Sequence, residues 1–271
     1  MSTLYVKLST TTIEMPPDSI EHHIARIMLK NINKLYELSI NELAILCTVS
    51  KSTLSKFVRF LGFEDYQDFR GEAYKQRYKE VYVNGKYTMN ITDFVCRQGM
   101  DEYIKILYED MRNLLHNLDY KQIEKLITLI HDSEEVAAFG EVYSQTAALN
   151  FQYKMSFYKK FVYTTLNDQK QDEYIKKASS DTLLIIFSNS GRYIKVNHQL
   201  EQELQKKSFE QTGAHVALFT SNQSMLNDPR VDTCITWNYA ESVQNHPFLY
   251  QLLIEEIAYL YKMKYYAEIE N

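Results

Sequence analysis

The sequence predicts two domains of different class: an all-α head built on a helix-turn-helix, and an α/β body with a doubly wound, mostly parallel sheet. Three observations predict this. Residues Ser39 to Phe63 read as two short capped helices around a tight turn. Beyond residue 93, short apolar runs alternate with amphipathic helical stretches. Between them lies Val83-Asn84-Gly85-Lys86, a turn-prone stretch that no apolar period crosses. The expected limits are 1–83 for the head, 84–92 for a linker and 93–271 for the body.

Within the head, residues 1–17 are expected to be extended or mobile and to end at Pro16-Pro17. Asp18 or Ser19 then caps a supporting helix to about Lys34, with Ile20, Ile24, Ile27 and Met28 on its inner face. Ser39 with Glu42 has the spacing of a capping box, and Ile40, Leu43, Ala44 and Cys47 follow on one face. Thr48-Val49 breaks that helix. Ser50 caps the next one, and Gly62 stops it. Leu54, Phe57, Val58 and Leu61 form its apolar side. The opposite side carries Ser50, Lys51, Ser52, Thr53, Ser55, Lys56 and Arg59. From Leu43 to Phe63 there are three basic residues and no acidic one. Small hydroxyl residues at a helix start, with cations one and two turns on, suit a helix laid in a major groove: the hydroxyls allow close approach and the cations neutralise phosphates. A solvated basic face is the bland alternative, but cap, turn, hydroxyls, cations and glycine stop all agree. A further helix is expected from Asp65 to Val81.

These residues resemble the helix-turn-helix of the RpiR family of bacterial transcription regulators. The resemblance rests on Ser39, Ile40, Leu43 and Ala44 at the opening, on Val49, Ser50 and Thr53 at the turn, and on Leu61, Gly62, Phe63, Tyr66 and Phe69 after it. Thr48 stands where that family commonly has Gly.

In the body, one amphipathic helix is expected from Asp93 to Asn117 and another from Asp119 to His131. Buried strands are expected at Val136–Phe139, Phe161–Thr165, Thr182–Phe187, Val216–Thr220 and, more weakly, Cys234–Trp237. Helices are expected at Gln145–Tyr158, Gln169–Ala178, Tyr193–Gln211 and Pro247–Lys264. Such alternation implies a parallel sheet covered on both faces. Ligands of such sheets bind beyond the carboxyl ends of the strands. Those ends carry Gly140 to Ser144, then Ser188, Asn189, Ser190, Gly191, Arg192 and Tyr193, then Thr220 to Ser224. Hydroxyls and amides at helix starts form a cradle for phosphate, although caps and turns are their commonest use.

The order of elements resembles a sugar isomerase (SIS) domain, the phosphosugar-binding module that follows the helix-turn-helix in the RpiR family. The resemblance implies that Ser144, Ser188, Asn189, Ser190, Gly191, Tyr193 and Thr220 surround a sugar phosphate. Two positions depart from that family's pattern: Val142 replaces the second Gly of the first loop, and Tyr193 replaces a Thr in the second.

The totals narrow the classes. The chain has 271 residues, 45% hydrophobic and 24% charged, with net charge −5. That is a globular composition, and it argues against a chain that coats nucleic acid indiscriminately. The first 80 residues carry a net +1, which leaves −6 for the rest. Cys47, Cys96 and Cys234 are scattered, which fits neither a disulfide framework nor a zinc site and suits a reducing cytoplasm. No signal peptide or membrane span is evident. None of the seven histidines lies in the three loops, and no catalytic elbow, P-loop or metal cluster is present. The expectation is a cytoplasmic, dimeric DNA-binding regulator without cofactor, metal or catalytic residues, whose body senses a sugar phosphate. A phosphosugar isomerase and a regulator with a ligand-free dimerisation body are the alternatives.

Overall fold

The computed structural model describes residues 3–75, 82–83, 86–87, 89–195, 208–239 and 243–266. They divide into two compact units, with the boundary between Glu80 and Val81.

Among its described residues the head has five α-helices: α1 (Thr3–Glu14), α2 (Ile20–Lys30), α3 (Ile40–Leu46), α4 (Lys51–Phe60) and α5 (Tyr66–Lys75). The expected extended start is instead α1. Leu4 and Leu8, one helical turn apart, are fully buried in the same core as Ile24, Met28, Leu43, Leu54 and Phe69. Packing of that pair outweighs the weak helix propensity of the Thr-rich sequence. Thr11 Oγ1 donates back to the Lys7 carbonyl at 2.8 Å, so its hydroxyl does not oppose the helix. Ser19 is the cap of α2; its side chain accepts from the His22 N–H at 3.1 Å. The capping box of α3 is complete: Ser39 N–H donates to Glu42 Oε2 at 2.7 Å and Glu42 N–H donates to Ser39 Oγ at 3.3 Å. Hydrogen bonding from the Ser39 side chain, and then from its backbone N–H, holds the Glu42 carboxyl below its usual range. Tyr66 Oη donates to the Leu38 carbonyl and Arg70 Nε to the Tyr36 carbonyl, which fastens α5 to the approach to α3.

In the body, β1 (Tyr82–Val83) and β2 (Lys86–Tyr87) form a short antiparallel ribbon. The expected linker reaches into α6 (Ile91–Gln98), which Asn90 caps by accepting from the Asp93 N–H at 2.9 Å. The single helix expected over Asp93–Asn117 is two. Gly99, at φ +88°, separates α6 from α7 (Met100–His116), a backbone turn that glycine adopts without steric cost. Next come α8 (Tyr120–Asp132), β3 (Glu135–Gly140), α9 (Tyr143–Ser156), α10 (Asp168–Lys177), β4 (Thr182–Phe187), α11 (Arg192–Lys195), α12 (Ser208–Gln211), β5 (His215–Thr220), β6 (Thr233–Thr236) and α13 (His246–Tyr265). Of the long helix expected over Tyr193–Gln211, residues 196–207 lie outside the described residues, as do residues 76–81 of the helix expected after Asp65.

The four strands β3-β4-β5-β6 are parallel and lie in that order. The expected strand at Phe161–Thr165 reduces to one parallel bridge, Ala137 with Tyr163. Tyr163 N–H donates to Val136 O at 2.8 Å and Ala138 N–H to Tyr163 O at 2.9 Å. Pairing there is too short to make a full ladder, yet it places the second segment outside the first. The chain therefore steps outward from β3 and then returns to β4 on the other side. That reversal marks the switch point between β3 and β4 where open α/β sheets take their ligands. Alternate side chains cover both faces. Val136, Ala138, Leu183, Ile185, Phe187 and Phe219 pack with α8, α9 and α13. Ala137, Phe139, Leu184, Ile186 and Leu218 pack with Ile175 of α10, Ile194 of α11 and Phe209 of α12.

Candidate functional site

Two sites follow from these frames, one in each unit. In the head, α4 is a ten-residue helix whose buried side is Leu54, Phe57 and Val58. That anchoring turns Lys51, Ser52, Lys56 and Arg59 to solvent, with Ser50 exposed at the cap and Thr53 and Ser55 half-buried beside them. Ser50 Oγ accepts from the Thr53 N–H at 3.0 Å, and the two hydroxyls stand 2.8 Å apart. So these two oxygens fix the start of the helix while remaining at the surface. The helix start adds partial positive charge to the same face. Thr48 holds the turn at φ +56°, which lets the Val49 N–H reach back to the Ala44 carbonyl at 3.0 Å.

In the body, Gly140 and Phe187 are paired across β3 and β4, so the loops that follow them are neighbours. A Cβ on Gly140 would stand 2.7 Å from Ser144, and one on Gly191 (φ +73°) 2.7 Å from Met225, so both loops need glycine there. Ser144 is buried in the first turn of α9, its Oγ 3.5 Å from Tyr250 Oη. Ser188 Oγ accepts from the Tyr193 N–H at 3.2 Å. Ser190 is half-exposed, and its Oγ accepts from the Arg192 N–H at 3.4 Å. Asn189 is the hub of the loops. Its carbonyl accepts from Thr220 Oγ1 and Ser221 Oγ, both at 2.9 Å, and its Oδ1 from Tyr239 Oη at 2.5 Å. Thr220 is fully buried, and its oxygen also accepts from the Asn222 N–H. Its hydroxyl thus joins the second and third loops.

Tyr193 does not line the cradle with its hydroxyl. Its ring is buried on the α10–α12 side, and its Oη donates to Gln171 Oε1. Burial pushes the phenol pKa well up. Val142, at φ +55° and ψ −116°, adopts a backbone conformation suited to glycine while carrying a branched side chain.

His246, one of the seven histidines outside the three loops, is the first residue of α13. Its ring meets Tyr143 and Tyr250 edge to face, with centroids 6.1 and 5.7 Å away. Burial lowers its pKa to about 4, and its Nδ1 is buried without a hydrogen-bond partner. The Asn-His-Pro sequence opening that helix was the available signal, but no spacing ties residue 246 to residue 144.

The helix-turn-helix family described as the rpiR family matches residues 7–77. The head is an rpiR-family helix-turn-helix domain. Its α4 face is then the second helix of that motif, and Thr48 is the residue of its turn. An uncharacterised HTH-type transcriptional regulator in the aarA 3′ region of Providencia stuartii is 22% identical over 204 residues, covering 74% of this chain and 70% of that one. The Vibrio vulnificus NanR protein, solved in complex with ManNAc-6P, is similar over 97% of this chain and 92% of its own. The identity is 14% and the TM-score 0.50. A protein of Escherichia coli CFT073, solved in complex with another phosphosugar, aligns with 67% of this chain and 97% of its own, at 14% identity and TM-score 0.50. These likenesses show the fold alone: the body, with its parallel sheet and flanking helices, has the fold of these solved proteins.

Among the described residues, no cluster of three or more His, Cys, Asp or Glu side chains is placed to hold a metal ion. No described helix is long and apolar enough to cross a membrane.

Proposed function

We propose that this protein is a cytoplasmic transcription regulator that reads operator DNA with α4 and senses a phosphorylated sugar with its body. The observation that carries the reading is the α4 face: three exposed cations and a row of hydroxyls on a capped helix of an rpiR-family head. Ser50, Lys51, Ser52, Thr53, Ser55, Lys56 and Arg59 are the contact set. The cations take phosphates, and the small residues at the helix start let the backbone approach the bases. The chain acts as a dimer, so that two heads meet a two-fold operator.

For the body, the sugar phosphate lies at the switch point between β3 and β4, held by Ser144, Ser188, Ser190 and the backbone beside Gly191. Two proteins of the same fold were solved with phosphosugars, one of them ManNAc-6P, which supports this ligand class. The ligand changes DNA affinity by binding one arrangement of the two heads better than the other.

The body is a sensor in this proposal, not an isomerase. Isomerisation needs a base poised near neutral pH. His246, the histidine packed beside Tyr250 and Tyr143, has its pKa held at about 4 by burial, which makes it a poor proton acceptor at pH 7. Conversion of any aldose phosphate to its ketose by the purified protein would reverse that assignment.

The decisive experiment selects promoter fragments retained by the purified protein, then compares wild type with the Lys56→Ala/Arg59→Ala double variant by gel shift over a salt series. Loss of two phosphate contacts flattens the log K against log salt slope by about 1.8. An unchanged slope and affinity would remove α4 as the reader.

A further inference from the structure

His246 packs beside the loop that follows β3, and the reading above gives it no part in binding. Its place is set from both sides. Asn245, fully buried, precedes it and donates from Nδ2 to Asp110 Oδ2 of α7 at 2.7 Å. Pro247 follows it, a residue preorganised for the first turn of a helix. From there the imidazole meets Tyr143, the first residue of α9, and Tyr250, one turn along α13. Tyr250 is fully buried, and its Oη stands 3.5 Å from Ser144 Oγ. Tyr250 is therefore a neighbour shared by the imidazole and the Ser144 hydroxyl.

The polar atoms here are not satisfied by the fold. His246 Nδ1 is buried without a hydrogen-bond partner, and so is the neighbouring Asn245 Oδ1. Such atoms cost free energy unless something pairs with them. His131 shows the contrast: its ring stacks on Tyr265 at 3.8 Å, and its Nδ1 lies 3.4 Å from Tyr261 Oη. Burial keeps the His246 pKa at about 4, so the ring is neutral at pH 7. A neutral imidazole offers one donor and one acceptor. That suits a hydroxyl, which can both give and take a hydrogen bond. It suits a phosphate dianion poorly, because cations and N–H groups are the strong partners of such an anion. The surrounding wall is aromatic, with Trp237 5.6 Å from Tyr250. Aromatic walls carrying a few placed polar atoms are the usual lining of small-molecule sites.

We infer that His246 is a specificity-determining residue of the body, whose Nδ1 hydrogen-bonds a hydroxyl of the bound sugar while the phosphate stays on the loop after β4. The inference rests on the sugar-phosphate reading proposed above. It adds which end of the ligand faces which element: the sugar toward the start of α13, the phosphate toward Ser188 and Ser190.

Calorimetric titration and histidine-ring nitrogen NMR of the full-length chain test it, with ManNAc-6P, glucose and fructose phosphates, and inorganic phosphate as probes. At least one sugar phosphate binds the wild type and shifts the Nδ1 resonance of His246, which is assigned by its loss in His246→Asn. Inorganic phosphate leaves that resonance in place. His246→Leu weakens the sugar phosphate about tenfold and leaves the affinity for inorganic phosphate unchanged. His246→Asn, whose amide can take the position of Nδ1, restores sugar-phosphate affinity to within about threefold of wild type. A residue needed only for packing would not be rescued by that amide, so failure of the rescue counts against the contact. Sugar-phosphate binding that leaves the His246 resonance unmoved overturns the role of His246 and leaves the sugar-phosphate reading standing. A parallel loss of inorganic phosphate in His246→Leu overturns it as well, because the whole cradle is then disturbed. A wild type that binds none of the sugar phosphates overturns both this inference and the reading beneath it.

Discussion

Tyr193 and Gln171 are joined by a buried hydrogen bond, the phenol donating to the amide oxygen. The amide then passes the connection on. Gln171 Nε2 donates to the Thr165 carbonyl at 2.7 Å and to Gln145 Oε1 at 3.0 Å. Gln145 Oε1 also accepts from the Gly140 N–H at 3.3 Å, and its Nε2 donates to Thr164 Oγ1 at 2.8 Å. The loop after β3 and the loop after β4 are thus coupled through two glutamine side chains. Tyr193→Phe removes the donor and leaves Gln171 Oε1 to burial. The expected cost is about 1–3 kcal/mol. It is read as a fall in Tm of roughly 2–4 °C per kcal/mol. An unchanged Tm would mean that the network is not fastened through this phenol.

Thr48 and Val142 stand at φ +56° and +55° in separate units. Both carry branched side chains in backbone conformations that favour glycine, a strain of order 1–3 kcal/mol each. Replacement by glycine relieves the strain but adds freedom to the unfolded chain. The net expectation is a gain of about 1 kcal/mol for Thr48→Gly and for Val142→Gly, measured by denaturant unfolding. The gains add, because the two residues share no partner. A loss of stability in either variant would show that contacts of the branched side chain outweigh its backbone strain.

The capped, periodic parts of this fold are legible in the sequence. Ser39, Ser50 and Gly62 bracket α3 and α4, and the apolar runs at Thr182–Phe187 and Val216–Thr220 mark β4 and β5 to within a residue. The misses have physical causes. Helix α1 is held by tertiary burial of Leu4 and Leu8, which a Thr-rich sequence conceals. Gly99 sits inside a continuous apolar period, so the break it makes shows only in its backbone angle. The loops were placed correctly on the strand ends, but the direction of each hydroxyl was not readable. Thr220 and Tyr193 satisfy the protein's own carbonyls and amides, whereas Ser190 stays half-exposed.

That difference ranks the loop residues for ligand binding. Ser190→Ala removes a hydroxyl at the surface of the cradle. It is expected to weaken sugar-phosphate binding about tenfold in calorimetric titration, with stability within about 0.5 kcal/mol of wild type. Thr220→Val removes the donor to the Asn189 carbonyl and the acceptor for the Asn222 N–H. Its expected effect is a stability loss of about 1–2 kcal/mol. The reverse ranking would place the ligand on the third loop instead of the second.

His246 makes the fold sensitive to acid. Its ring packs between Tyr143 and Tyr250, and desolvation holds its pKa at about 4, against about 6.5 for an unfolded chain. Below pH 6.5 the unfolded state therefore takes up a proton that the folded state refuses. The stabilisation is complete above pH 6.5 and is lost as the pH falls toward 4. Between pH 7 and pH 5 this one group removes about 2 kcal/mol of stability. His246→Gln cannot bind that proton, so the difference between its urea midpoints at pH 7 and pH 5 should be smaller than that of wild type by this amount. Equal differences in the two proteins would place the His246 ring in water, and with it the aromatic wall next to Ser144.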